Sequence, residues 1–433
     1  MVDVTDLLAG LDNIEWAELN HAYGDATDVP ADLRAACSAD QAAREKAFSN
    51  LFASIFHQGT RYSASPHAVP FLARIAIAGP PEARVDALWL LTRLAVDWHD
   101  EYDLPMGIDT VAWRAAAQPP EETVRWCDDQ LTTETSDAKR RELEELREWA
   151  AAGNPVDGRE GALRSYDAVR REIPSLLSLL DDPDAAVRTR TAYLLNWFPE
   201  EREAIVPALG ACVTVEQNPV VKATALIGLG LLGANEWTGD LQDQLEAPDP
   251  LIRWAAATAL VRAGAGPNSD RSAPSRDTVT RAFTALADFA AGPRPEAHTD
   301  HNEGNPHAYT GRTLLLLLNS VPNDDLLGAI ANCLRYTDVW QCDTLAAEVI
   351  TKTFDVQGID PSPMFVDLSR GQQQIILALA DHPVITTFDR YAIYRLAETL
   401  QAAGLPKIGQ GIRGYAGLPM NLPDLITDET WLF

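Results

Sequence analysis

The chain has 433 residues, too many for one compact core, so two or three domains or one elongated repeat array is expected. Hydrophobic residues make up 46% and charged residues 23%, which excludes a disordered chain. Thirty-five basic side chains against 63 acidic ones give a formal net charge of −28. Such a surface repels phosphate backbones, so direct nucleic-acid binding is not expected, and it suits a basic protein partner drawn in by electrostatic steering.

The opening M-V-D-V-T-D-L-L-A-G is acidic where a secretory leader needs a basic region. The longest apolar stretches, Ala225–Ala234 and Leu314–Leu318, fall well short of the ~18–20 residues of a membrane span. Cys37, Cys127, Cys212, Cys333 and Cys342 are scattered and form no C-x-x-C pair. Neither a disulfide framework nor a zinc ribbon follows, and reduced thiols in a cytoplasm, with no metal or cofactor, are the expectation.

The first informative stretch is H-Q-G-T-R-Y-S-A-S-P-H-A-V-P-F-L from His57 to Leu72. Helical period runs through A-F-S-N-L-F-A-S-I-F from Ala47 and stops at Gly59, a C′ residue in this reading. Ser65 then serves as N-cap with Pro66 at the first helical position, and Val69-Pro70-Phe71-Leu72 begins the next helix. A joint of this kind requires none of His57, Gln58, Arg61 or Tyr62, which makes them candidates for partner binding. Further on, W-H-D-E-Y-D closes a predicted helix with an acidic, aromatic cluster. Trp98, His99, Asp100, Glu101 and Asp103 there are candidate contacts for a cationic side chain. They open an insertion, 97–161, broken by Pro119-Pro120 and carrying a charged helix, R-R-E-L-E-E-L-R-E-W from Arg140, read as a solvated face.

Around this insertion the sequence repeats. V-P-F-L-A-R-I-A from Val69, I-P-S-L-L-S-L-L from Ile173 and V-P-A-L-G-A-C-V from Val206 each set an apolar residue before a proline and continue in helical period. Each is followed by a short turn and a basic residue opening a second apolar helix: Arg84, Arg188 and Lys222, with Arg253 continuing the series. Asp182-Pro183-Asp184 and Pro248-Asp249-Pro250 are turns that cap those second helices.

Several motifs carry a chemical reading that their context weakens. Gly228-x-Gly230-x-x-Gly233 has the spacing of a dinucleotide loop but sits inside a helical pattern, so close helix packing is the reading. Gly409-x-Gly411-x-x-Gly414 has too few residues after it for a βαβ unit and is read as a C-terminal cap. His298, Asp300, His301, Glu303 and His307 crowd one polar loop without metal-ligand spacing and are read as a solvated ridge.

The turn D-x-x-V-R followed by A-x-x-x-L resembles HEAT repeats, strongly over 173–263 and well over 40–95. H-A-Y-G-D-A-T-D-V-P from His21, H-Q-G-T-R-Y-S-A from His57 and S-Y-D-A-V-R from Ser165 are similar to one actinobacterial group of HEAT-repeat proteins. The resemblance implies architecture and a partner-binding role rather than a reaction. It predicts an all-α fold, an α-solenoid superhelix of HEAT-like helical hairpins with inserted loops. Four segments are expected: N-terminal repeats over 1–96, the acidic insertion over 97–161, central repeats over 162–277, and C-terminal repeats with a Gly/Pro-rich cap over 278–433. The function expected is a non-enzymatic scaffold, sharpened to an acidic inhibitor or immunity-type protein that clamps a basic partner. The alternative is a HEAT-fold enzyme of the DNA glycosylase or tetrapyrrole lyase kind.

Overall fold

Alanine- and leucine-rich windows of 3.6 period give helices that pair antiparallel, because a single helix pair cannot cover its own apolar face and the next pair must do so. A computed structural model describes residues 4–96, 108–117, 120–135, 137–153, 158–265, 275–354, 364–382, 394–406 and 410–419. The fold is an all-α solenoid, and it divides into two compact units, Met1–Leu232 and Gly233–Phe433.

The first unit opens with α1 (Val4–Leu7) and a hairpin of β1 (Asn20–His21) and β2 (Gly24–Asp25), then α2 (Val29–Ala35) and α3 (Gln41–Ile55). A second hairpin, β3 (Phe56–His57) and β4 (Thr60–Arg61), leads into α4 (Ser65–Ala78) and α5 (Pro81–Val96). The insertion supplies α6 (Thr110–Ala116), α7 (Pro120–Thr133) and α8 (Asp137–Ala151). The stack then resumes with α9 (Gly158–Leu176), α10 (Ala185–Leu195), α11 (Arg202–Val215) and α12 (Pro219–Leu231). First helices stack on first helices, α4 on α9, and second helices on second helices, α5 on α10 and α10 on α12. Pro70, Pro174 and Pro207 lie inside α4, α9 and α11 rather than at their starts, so each helix begins earlier than the proline marker suggests.

The basic marker has a structural task. Arg84 donates from Nε to the Ala76 carbonyl at the end of α4 and from Nη2 to Asp182 in the next repeat, at 2.8 and 2.5 Å. Arg188 repeats the pattern, donating to the carbonyls of Asp182 and Pro183 and to both carboxylate oxygens of Glu216. In the second unit Arg253 donates to the carbonyls of Ala247 and Pro248. Each arginine satisfies turn carbonyls that no helix bond reaches, and the first two also clip one repeat to the following one. Burial opposes the charge on Asp182 and Glu216, yet both are held below the usual carboxylate range, by Arg84 and by Arg188 respectively.

The second unit contains α13 (Thr238–Gln244), α14 (Pro250–Ala265), α15 (Arg276–Ala291), the single turn α16 (His301–Gly304) and α17 (Pro306–Leu315). It continues with α18 (Asn323–Leu334), α19 (Val339–Thr353), α20 (Arg370–Ala380), α21 (Tyr394–Ala402) and α22 (Gln410–Tyr415). The polar loop before α17 is not the solvated ridge its letters suggest. His301, Asn302, Asn305 and His307 are buried, and Asn302 and Glu303 take left-handed conformations with φ of 52° and 53°. Neutral imidazoles pack there as aromatic rings: His307 lies 4.2 Å from Tyr336 and His301 5.2 Å from Tyr309, and the Tyr309 ring also carries Arg262 at 4.0 Å. Burial pushes His301 well below its ordinary value. Asn305 binds Tyr336 and Gln341, so the loop is the core between α15, α17 and α19.

Candidate functional site

Two β-hairpins stand out in the first unit because nothing in a helix stack requires them. They are the same device used twice, 36 positions apart: strand pair, two-residue turn, then a helix with proline at its second position. His21 pairs with Gly24 across the Ala22-Tyr23 turn, and His57 pairs with Thr60 across Gln58-Gly59. Val29-Pro30 opens α2 as Ser65-Pro66 opens α4. Gln58 and Gly59 both have positive φ, 50° and 84°, the left-handed pair that a tight two-residue hairpin turn demands. Gly59 is therefore a hairpin residue and not the C′ of α3, which ends at Ile55.

The hairpins are tied together by backbone. Ala22 N–H donates to the Ser54 carbonyl, Ala64 N–H to the Asn20 carbonyl, and Asn20 N–H to Ser63 Oγ. Ser65 is no N-cap. It is the first residue of α4 and is fully buried, with its hydroxyl accepting from Tyr62 N–H and donating to the Ile55 carbonyl, both at 2.7 Å. One hydroxyl thus pins the end of α3, the hairpin and the start of α4.

Their side chains fix two imidazole tautomers. His21 is buried and accepts at Nδ1 from Tyr23 N–H, 3.0 Å, so Nε2 carries the proton that it donates to Asp28 at 2.8 Å. His57 meets the Ala53 carbonyl at Nδ1, 3.1 Å, and since a carbonyl only accepts, the proton is there. The Tyr23 ring crosses His57 edge to face at 5.4 Å with its hydroxyl 3.4 Å from Nδ1, and this tyrosine is 68% exposed. Tyr62 lies alongside, its phenol pushed up by burial and by the proximity of Tyr23. The result is an ordered face that brings together the His57 ring, the Tyr23 and Tyr62 hydroxyls, and the exposed carboxylates of Asp25 and Asp28. Residues 1–43 carry nine carboxylates against one arginine, Arg34.

Of the sequence candidates, His57, Gln58 and Tyr62 meet on this face. Arg61 is buried, donating to the Gly59 carbonyl at 2.6 Å and lying over the Phe56 ring, so it holds the hairpin from within. Trp98, His99, Asp100, Glu101 and Asp103 lie outside the described residues. Sequence reasoning missed His21, Tyr23 and Asp28. Their signal was the 36-residue offset that superimposes His21 on His57 and Pro30 on Pro66. Elsewhere in the insertion, Trp126 and Trp149 are exposed on α7 and α8 among acidic neighbours.

The glycine motifs resolve as packing. Gly228 and Gly230 are buried within α12, and a Cβ on Gly228 would run into Asn196 Oδ1. Near the C-terminus Arg413 of α22 is buried and donates to the Ala380 carbonyl and Asp381 at the end of α20, so that segment is anchored by a side chain. Gly409 lies outside the described residues. All five cysteines are buried, and burial pushes the thiols of Cys37 and Cys212 up to about 11 and that of Cys342 to about 12, which offers no thiolate nucleophile. No group of three or more His, Cys, Asp or Glu among the described residues is arranged to hold a metal ion. Nor is any described helix long and apolar enough to cross a membrane.

Comparison with known families places the repeats. Residues 206–275 match the family of HEAT repeats. This stretch runs from within α11 through α12, α13 and α14 and includes the marker residues Lys222 and Arg253. No curated protein matches the chain. HEAT-type helix pairs commonly present binding surfaces to other proteins, and the fold described above is of that kind.

Proposed function

We propose that this chain is a non-enzymatic protein-binding scaffold and that the paired hairpins of its first unit are a docking face for a basic protein. The observation that carries this reading is the Tyr23–His57 pair. An exposed tyrosine packs edge to face on an imidazole anchored at Nδ1 to the Ala53 carbonyl, and the exposed carboxylates of Asp25 and Asp28 add acceptors to the same face. A lysine or arginine finds there a ring face, phenolic hydroxyls and carboxylates together, the composition of an interface hot spot.

The sharper form of the proposal is an inhibitor or immunity-type protein that clamps a basic target such as a nuclease. The −28 formal charge supports it, as do the acidic insertion and its exposed tryptophans. Affinity capture from the native cell, run with the parent and a Tyr23→Ala, His57→Ala variant, tests the reading. Retention of a basic protein by the parent and its loss from the variant is the expected result, with capture weakening as salt is raised.

A further inference from the structure

Within an acidic chain, one cleft of the first unit is cationic. It has a volume of about 660 Å³ between α4 and α9, beside the first hairpin, and its charged lining is Arg74, Arg164, Arg171 and Asp167. Asp167 is ion-paired, Arg114 donating to both its oxygens at 2.9 and 2.6 Å while also reaching Glu200 at 3.0 Å. Arg74 spends one N–H on the Ala9 carbonyl and lies over the Phe71 ring at 5.3 Å, which fixes its guanidinium at the rim. Glu172 is close enough to Arg74 to feel its charge. Arg164 is set by Glu160 at 3.0 Å and by the Gly153 carbonyl. Arg171 has no protein partner among the described residues and is exposed to the cleft mouth. Positions 164, 167 and 171 recur at helical spacing, so α9 presents them on one face. The remaining walls are mixed, with Ile14, Leu19, Pro66, Pro70 and Phe71 beside the polar Ser63 and His67.

We infer that this cleft is a binding site for a phosphorylated small molecule of about mononucleotide or sugar-phosphate size. Two arginines pre-set by backbone carbonyls and one left open form the planar donor forks that phosphoryl oxygens match, and the apolar part of the wall accommodates an organic body. The volume lies in the range of small-ligand sites, roughly 300–1,000 Å³. Asp167, held by Arg114, is the one carboxylate lining the cleft among the described residues, while Glu160 pairs with Arg164 and Glu172 lies near Arg74. This inference stands apart from the partner-binding reading: it uses none of the hairpin side chains, and either can fail alone.

The test is titration calorimetry of the full chain with inorganic pyrophosphate and with adenosine monophosphate, at constant ionic strength. One saturable site is expected for at least one probe. Arg171→Gln should weaken it tenfold or more, and Arg276→Gln, an exposed arginine of the other unit, should leave it unchanged. Phenylglyoxal modification of Arg171 in the unmutated chain, read by mass spectrometry, should slow when the probe is bound. No saturable binding of either probe, equal loss in Arg171→Gln and Arg276→Gln, or unaltered modification of Arg171 would overturn the assignment.

Discussion

Arg84 and Asp182 are 98 positions apart in the chain and meet at 2.5 Å, each largely shielded from water. The whole insertion 97–161 lies between them in sequence, yet α5 packs directly on α9 and α10 as though it were absent. The repeat stack closes across this stretch, and the described helix α6 packs on α9, with Trp113 5.2 Å from Tyr166 and Arg114 bonded to Asp167. Removing either partner leaves a partly buried charge without its direct ion pair, although Arg188 still acts on Asp182 from further away, so Arg84→Ala or Asp182→Ala should each cost roughly 2 kcal/mol. A double-mutant cycle in urea should return a coupling of about 1 kcal/mol or more. Additive single costs would show that the two side chains are neighbours without being a clip.

Gly59 makes a narrower prediction. At φ of 84° an alanine is strained, so Gly59→Ala should destabilise by about 1 kcal/mol. Gln58 also sits at positive φ, where asparagine is the better residue, so Gln58→Asn should be neutral or stabilising. Thermal melts should show a lower melting temperature for Gly59→Ala and an unchanged or higher one for Gln58→Asn.

Gly228 sets two effects against each other. Helix propensity alone favours Gly228→Ala by ~1 kcal/mol. The added Cβ, however, meets Asn196 and Leu209 inside the stack, where overpacking typically costs about 1–3 kcal/mol. The steric cost should win, and the variant should melt at a lower temperature than the parent. A rise would mean that α12 is packed more loosely than described.

Acid should weaken the second unit through its buried imidazoles. Burial lowers His382 from an ordinary 6.5 to about 4, against the opposing pull of the Thr337 and Leu334 carbonyls. The unfolded chain takes up a proton near pH 6.5 while the folded chain resists until about 4. The stability tied to this residue is therefore complete above pH 6.5 and lost as pH falls to about 4, by about 3 kcal/mol in total. Asp338 and Asp343, raised by burial, act in the opposite sense, so the comparison must be with a variant. Urea midpoints at pH 7.5 and 5 should fall less in His382→Gln than in the parent.

The helical repeat was legible because its markers are chemical necessities. Turn carbonyls need a donor, and Arg84, Arg188 and Arg253 recur where those turns occur. The hairpins were not legible, because strands of two residues leave no alternation to read and only the paired His21/His57 and Pro30/Pro66 offsets betray them. The loop His298–His307 misled for a different reason. Histidine and asparagine read as polar letters, but a neutral ring with one satisfied nitrogen packs as an aromatic, and the left-handed backbone of Asn302 and Glu303 has no sequence marker. At the candidate site the sequence singled out His57, Gln58, Arg61 and Tyr62 together. Only the fold separates the buried Arg61 from the other three, and only the fold supplies Tyr23.

The most direct test of the docking face is a binding measurement on a captured partner. With the basic protein retained by the parent chain in hand, its affinity for Tyr23→Ala, His57→Ala should fall by 2 kcal/mol or more, about thirtyfold, while the variant's melting temperature stays within a few degrees. Equal affinity in the folded variant, or a partner of acidic character, would contradict the account.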